Sequence, residues 1–270
     1  MQGYGEITSK SNPRIKEYQK LNKRSYRYDG EKYLGEGVQM LKESLASGLP
    51  IEALFLTAEG ERQAYGLSNL ISARCDAVYK VSQEIMSLLS GTVTPQGIVA
   101  VLPFMHEREA SALEHDGGPM VFLDQVRDPG NLGTMIRAAD AAGMTAMMIS
   151  KRSADLYNPK TVRASAGSIL HLPVWIDQEP KVVLGGLRER GWNIVAADPR
   201  AEESFWEYAW SESTVIVLGN EAWGLPKEDE ELLDHRVCIP IFGQAESLNV
   251  AAAAALLFYE MKRRINAGLT

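Results

Sequence analysis

Residues 120–150 read MVFLDQVRDPGNLGTMIRAADAAGMTAMMIS, and their reading decides the fold. Met120–Val126 is an apolar run of strand length, Asp128-Pro129-Gly130 is a turn, and Asn131 stands where a helix cap belongs. Leu132–Ala142 then has helical spacing, and MTAMMIS is a second buried strand. A strand, a helix and another buried strand in this order make a parallel pair with a crossover.

The pattern continues outward. Lys181–Arg190 suits a helix, WNIVAAD and TVIVLGN suit strands, Arg236–Pro240 is a short strand, and Leu248–Arg264 is a long alanine-rich helix. These elements predict an α/β domain whose parallel sheet carries helices on both faces. Ligands in such folds bind beyond the carboxyl ends of the strands. Upstream, Tyr33–Ser47 is expected as a helix, Ile51–Thr57 as a strand and Gly66–Arg74 as a helix. A strand near Ala77–Val81, a short helix from Ser82 and a strand at Ile98–Leu102 complete a smaller α/β unit. Polar Pro103–Pro119 separates the halves, giving expected domains of 1–105 and 119–270 joined by a linker at 106–118.

Composition narrows the class. The 270 residues are 45% hydrophobic and 23% charged, an ordinary globular profile. No apolar run reaches the roughly 20 residues of a membrane span, and the N-terminus lacks a signal-peptide core. Cys75 and Cys238 stand alone, so neither a disulfide framework nor a zinc cluster is expected, and the cytoplasm is. The net charge of −7 hides an uneven distribution. Thr8–Arg27 holds seven basic residues against one acid, with Tyr18, Tyr26 and Tyr28 interleaved, whereas Asp198–Asp234 holds eleven acids against two bases. A basic run with aromatics suits phosphates and unpaired bases, and equally suits a solvated helix.

Three clusters lie at strand ends. In the first, Asn131, Gly133 and Arg137 are spaced so that Gly133 and Arg137 share a helix face. In the second, VIVLGNEAWGLP, a strand runs into Gly219, Asn220, Glu221 and Gly224, and glycine there allows backbone to approach a ligand closely. It is neither G-x-G-x-x-G nor a P-loop, which disfavours a nicotinamide oxidoreductase. In the third, IPIFGQAESLNVAAAAA, Pro240 and Gly243 form a loop before Ser247 and Asn249 at a helix mouth, where Ser247 is expected to cap.

Order and spacing of these clusters resemble the SpoU (TrmH-like) branch of the SPOUT RNA methyltransferases over Met120–Arg264. N-x-G-x-x-x-R is met by Asn131, Gly133 and Arg137, and G-x-E-x-x-G by Gly219, Glu221 and Gly224. I-P-x-x-G-x-x-x-S-L-N is met by Ile239, Pro240, Gly243, Ser247, Leu248 and Asn249. Ala222 and Ala251 depart from the glycine and serine of many members. The N-terminal part is similar to the family's ribosomal-protein-like substrate-binding domain, through Ile7–Arg27 and Tyr33–Ser47.

The resemblance implies a C-terminal domain with a deep trefoil knot, a homodimer, no metal and no membrane partner. It implies S-adenosylmethionine bound by Leu218, Gly219, Asn220, Gly224, Ile239, Ile241 and Leu248. The implied reaction is methylation of a ribose 2′-hydroxyl of structured RNA, with rRNA processing favoured over a tRNA substrate or a non-catalytic RNA clamp. A base methyltransferase on the same scaffold would carry a different first motif. Arg137 is the implied catalytic residue, supported by Asn131, Glu221, Ser247 and Asn249. Arg14, Lys16, Arg24, Arg27 and Arg163 are the expected RNA contacts, with Lys151, Arg152 and Lys160 as a further basic patch.

Overall fold

The computed structural model describes residues 5–105, 117–220, 224–225 and 227–268. The chain divides into two compact units, Met1–His106 with Tyr157–Leu170, and Glu107–Leu156 with His171–Thr270. The expected linker at 106–118 lies outside the described residues except for 117 and 118.

The first unit contains β1 (Gly5–Ile7), α1 (Pro13–Gln19), α2 (Arg24–Gly30), β2 (Lys32–Glu36), α3 (Val38–Ser47) and β3 (Ala53–Leu56). After them come α4 (Ala58–Gln63), α5 (Ser68–Arg74), β4 (Val78–Val81), α6 (Gln83–Ser90) and β5 (Ile98–Pro103). Its sheet runs β1-β4-β3-β5-β2, with β2 and β3 antiparallel to β5. Ile15, Phe55, Ile85, Leu89, Val99 and Val101 form its apolar core.

The helix expected over Tyr33–Ser47 is corrected. Its first turn is the strand β2, and α3 begins only after Gly37. Pairing with β5 buries Tyr33 and Leu34, and this tertiary gain overrides helical spacing. Gly37 makes the corner at φ 98°, where a Cβ would stand 2.3 Å from Gln96 Oε1. Burial, first, and the neighbouring Tyr157 push the Tyr33 hydroxyl far above the ordinary tyrosine range.

In the second unit β6 (Met120–Leu123), α7 (Pro129–Ala142) and β7 (Ala146–Ser150) form the crossover read in the sequence. The short helix α8 (Pro159–Ser165) comes next in the chain and belongs with the first unit. The second unit resumes with β8 (Val174–Gln178), α9 (Pro180–Glu189), β9 (Asn193–Ala197), β10 (Thr214–Leu218), β11 (His235–Val237) and α10 (Val250–Asn266). Its six strands run β11-β9-β10-β6-β7-β8, and every pairing is parallel. α9 packs Leu184 and Leu187 against Phe122, Met148, Ile194 and Val217. Val121, Leu123, Ile149, Val195 and Ile216, on the alternate face, are buried too, so both faces are covered. α7 and α10 pack on each other.

Beyond β9, Asp198 accepts hydrogen bonds from Arg200 Nε (3.1 Å) and Arg236 Nη1 (3.1 Å), and Arg236 Nη2 meets Glu230 at 3.0 Å. Burial alone would raise the Asp198 carboxyl, but the bonds from Arg200 and Arg236 outweigh it and hold the group below its ordinary range.

Candidate active site

β10, β6 and β7 are adjacent and end level, Leu218 beside Leu123 and Leu123 beside Ile149. Immediately beyond β6, buried Asp124 accepts a hydrogen bond from Ser150 Oγ at 2.6 Å. The next residue, Gln125, donates its N–H to the same oxygen at 2.9 Å and turns the chain with a φ of 53°. The chain then enters α7, and its N-cap corrects the sequence expectation. Asp128, not Asn131, caps the helix, accepting the Asn131 N–H at 2.8 Å, with Pro129 at the first helical position. Two capping residues flank Pro-Gly here, and proline's fixed φ settles the helix start between them.

Asn131 is thereby freed for another role within the first turn. Its Oδ1 accepts the Asn249 side-chain N–H at 3.1 Å, which joins the first and third motifs. Asn249 Oδ1 meanwhile caps α10, accepting from Ala251 N–H at 2.9 Å and Ala252 N–H at 3.3 Å. Asn249 therefore takes the capping role expected of Ser247, which is exposed in the preceding loop. Arg137 projects from α7 into solvent, and among the described residues it makes no hydrogen bond or ion pair.

The second motif is held by its own chain. Leu218 is buried, and its carbonyl accepts the Asp124 N–H at 2.8 Å. A Cβ on Gly219 would lie 2.5 Å from the carbonyl carbon of Gly224 and 2.7 Å from the Leu225 nitrogen. Close approach of a ligand is thus not needed to explain this glycine, because the return of the loop already excludes a side chain. Asn220 and Gly224 exchange two backbone hydrogen bonds of 2.9 Å, and Gly224 takes a φ of 72°. The Asn220 amide donates to the Gln125 carbonyl at 2.8 Å, so this side chain is spent inside the protein. Glu221 lies outside the described residues.

The third motif behaves differently. Ile239 and Pro240 are half-buried, and every residue from Ile241 to Asn249 is exposed. Among the described residues, no hydrogen bond holds Ile239–Leu248. Ile241 and Leu248 present apolar side chains to solvent, and Phe242 stacks on Trp206 with ring centroids 6.0 Å apart.

The basic residues of the first unit divide in two. Arg14, Lys16 and Arg24 are exposed, with Arg14 over the Tyr79 ring at 5.2 Å and Arg24 over Tyr28 at 4.9 Å. Arg27 is 2% exposed, and its Nη1 donates to the Leu21 carbonyl at 2.8 Å. An RNA contact by Arg27 is therefore corrected to an internal brace for the turn before α2. Arg163 pairs with Glu36 at 3.5 Å, within the first unit, and is only partly exposed. Tyr18 is also internal, packed edge-on against Phe55 with its hydroxyl donating to Glu52 at 2.9 Å.

Sequence reasoning assigned no role to Asp124, Gln125 or Ser150. The signal was present, since Asp124 and Ser150 are the polar residues that end two apolar runs which pair in register.

Comparison with known proteins bears on this arrangement. Residues 118–259 match the model of the SpoU rRNA Methylase family, and residues 12–100 match an MRM3-like substrate binding domain. The 23S rRNA (guanosine(2553)-2′-O)-methyltransferase RlmP of Bacillus subtilis is 34% identical over 257 residues, covering 95% of this chain and 99% of the relative. The 23S rRNA (uridine(2479)-2′-O)-methyltransferase of Streptomyces viridochromogenes is 30% identical, covering 98% of this chain and 94% of the relative. The structure of the SpoU methyltransferase AviRb from that organism, in complex with AdoMet, superposes with a TM-score of 0.82 at 28% identity, covering 94% of this chain and 98% of that one. The asparagine pair and the exposed arginine belong to the matched region, and the likeness runs through both units. This chain is a member of the SpoU rRNA methylase family.

Proposed function

We propose that the chain methylates a ribose 2′-hydroxyl of large-subunit ribosomal RNA, using S-adenosylmethionine as donor. The observation that carries this is end-to-end similarity to two named 23S rRNA 2′-O-methyltransferases, through both the methylase and the substrate-binding regions.

The residues present fit the donor. Ile239–Leu248 supplies backbone donors and acceptors that no protein group uses among the described residues, beside apolar Ile241 and Leu248. A purine edge and an apolar ribose face ask for that combination. Ile239, Ile241 and Leu248 would hold the donor from this side, and Leu218, Gly219, Asn220 and Gly224 would shape the other wall. S-adenosylmethionine supplies an electrophilic methyl group on a sulfonium.

The tasks left to the protein are aligning the ribose oxygen and handling its proton. Arg137 has a permanently charged fork without a partner among the described residues, suited to developing alkoxide charge or an adjacent phosphate and unsuited to removing a proton. The Asn131–Asn249 pair fixes the start of α7, from which Arg137 projects about two turns further on. Ser247 and Glu221 are assigned to orienting the ribose and Arg137.

The exposed cations Arg14, Lys16 and Arg24 are assigned to phosphates, and exposed Tyr26, with Lys20 over its ring at 5.3 Å, is assigned to a base. The domain reading retains 1–105 for RNA and 119–270 for methyl transfer. A trefoil knot and a homodimer complete it, the latter supported by exposed Leu256 and Tyr259 on α10. The reading assigns the work to the cytoplasm, which similarity to bacterial 23S rRNA methyltransferases supports. The test is ribose-methylation mapping of total RNA with and without the gene, beside transfer of labelled methyl to 23S RNA by purified protein. Loss of one 2′-O-methyl in large-subunit RNA is expected. Loss confined to tRNA, or no loss at all, overturns the reading.

A further inference from the structure

Ser150 ends the strand β7 and is 3% exposed, yet no motif includes it. Its hydroxyl donates to Asp124 Oδ1 at 2.6 Å and accepts the Gln125 N–H at 2.9 Å. The Lys151 carbonyl stands at 3.2 Å, but one hydroxyl has one proton, and the shorter contact to a carboxylate claims it. A single oxygen therefore fixes both the side chain that follows β6 and the peptide group at which β6 turns.

That turn has a consequence across the sheet. Gln125 is held at φ 53°, a conformation that side chains other than glycine adopt rarely and only under constraint. Its carbonyl consequently faces β10 and accepts the Asn220 amide at 2.8 Å. Asn220 is 6% exposed and exchanges two backbone hydrogen bonds with Gly224. A continuous path thus runs from Ser150 through Gln125 and Asn220 to the loop that returns at Gly224. Ser150 and Asn220 are buried and Gln125 between them is half-buried, so the bonds that join the three are shielded in part from water.

We propose that Ser150 is a positioning residue for methyl transfer: through Gln125 and Asn220 it sets the second-motif loop against the loop that enters α7. It touches neither donor nor RNA. The kinetic part rests on the methyl-transfer reading above, whereas the structural part does not.

The experiment uses the full chain and compares Ser150→Ala, Asn220→Ala and their combination. Amide exchange of the unliganded protein is read at Gln125 and Gly224, beside single-turnover methylation and binding of S-adenosylhomocysteine. Ser150→Ala should speed exchange at Gly224 about tenfold although Gly224 never touches it, a local opening rather than global unfolding. The methylation rate should fall about 10- to 100-fold with the RNA KM within about twofold, the mark of misplaced groups. The combined variant should be no worse than the more damaging single one, because both act through one peptide group. Unchanged exchange at Gly224, or losses that multiply in the combination, would overturn the proposal. Gln125 supplies a second route should Ser150→Ala fail to fold. Gln125→Gly suits φ 53° and should keep exchange and rate, while β-branched Gln125→Val should reproduce the loss. Equal behaviour of these two overturns it as well. Failure of the wild-type chain to bind S-adenosylhomocysteine would remove the methyl-transfer reading and leave the exchange result to decide this one.

Discussion

Two loops at the same edge of the parallel sheet are built on opposite plans. Beyond β10, Asn220 and Gly224 are joined by paired backbone bonds, Asn220 is pinned to Gln125, and Gly219 has no room for a Cβ. The loop from Ile239 to Leu248 is exposed and holds no internal hydrogen bond among the described residues, and Gly243 within it has open space around it. Their difference separates two physical tasks. A preorganised loop spends no energy of alignment at the moment of reaction, whereas an unbound loop keeps its polar groups for a ligand.

The largest effect should come from setting a side chain against the closed loop. Gly219→Val meets backbone, which cannot move aside as a side chain can, so the loop must be displaced. Methyl transfer should fall by at least about 10³, with S-adenosylhomocysteine binding lost and the circular dichroism of the sheet retained. Gly243→Ala, in the open loop, should leave the melting temperature unchanged. Equal damage from both would abolish the contrast.

Arg137→Ala comes next. Loss of one donor to a transition state typically costs about 10²–10³ in rate, and donor affinity should change by less than about threefold. Arg137→Lys should recover little, since an ammonium lacks the planar fork. Near-normal turnover by Arg137→Ala would reduce the first motif to a helix start.

Asn249 offers a finer separation. Asn249→Ala removes a cap, costing about 1 kcal/mol, and removes the bond to Asn131. Asn249→Asp caps as well but cannot donate, so the melting temperature should persist while turnover falls about tenfold. Parallel loss of stability and rate in both variants would show that the Asn131 contact contributes nothing separate.

The smallest effect belongs to Asp198, just beyond β9. Its carboxyl is held below its ordinary value of 3.8, so the unfolded chain binds the proton more readily. The stabilisation is present above that value and is lost as pH falls through the lower folded value. Asp198→Asn should lower the melting temperature by a few degrees near neutrality, and the gap should close in acid. A gap that is constant with pH would assign the effect to packing.

How far the sequence revealed this molecule differs by region. The strands of the parallel sheet were legible because buried parallel strands are continuous apolar runs, and β6, β7, β9 and β10 all are. β2 was not, since KYLGE followed by an apolar-spaced helix reads as one helix until β5 is there to pair with it. β8, VWIDQ, carries an acid and an amide and escaped the same pattern. Among site residues, Asn131, Arg137 and Asn249 were legible as motif members, but not that the two asparagines would meet. A run of cations gives no sign of which member turns inward. Arg27 does so because the 3₁₀ turn Lys20–Asn22 leaves the Leu21 carbonyl available to its guanidinium. Gly219 shows the reverse, a glycine legible in the sequence for which the returning chain supplies a reason of its own.

The division of the chain bears on its birth as well as its chemistry. Tyr157–Leu170 belongs with the first unit, where Tyr157, Val162 and Ile169 are buried. A ribosome delivers the first 106 residues early, yet that unit stays unfinished until residue 170 has emerged. In the interval β6, α7 and β7 have been synthesised without β10, the strand that flanks β6 in the finished sheet. A first unit still without α8 and an incomplete second sheet are then exposed on one nascent chain, each waiting for sequence not yet translated. Synthesis slowed between residues 106 and 170 would lengthen that exposure and favour aggregation, whereas the same pause after residue 218 would find both sheets largely supplied.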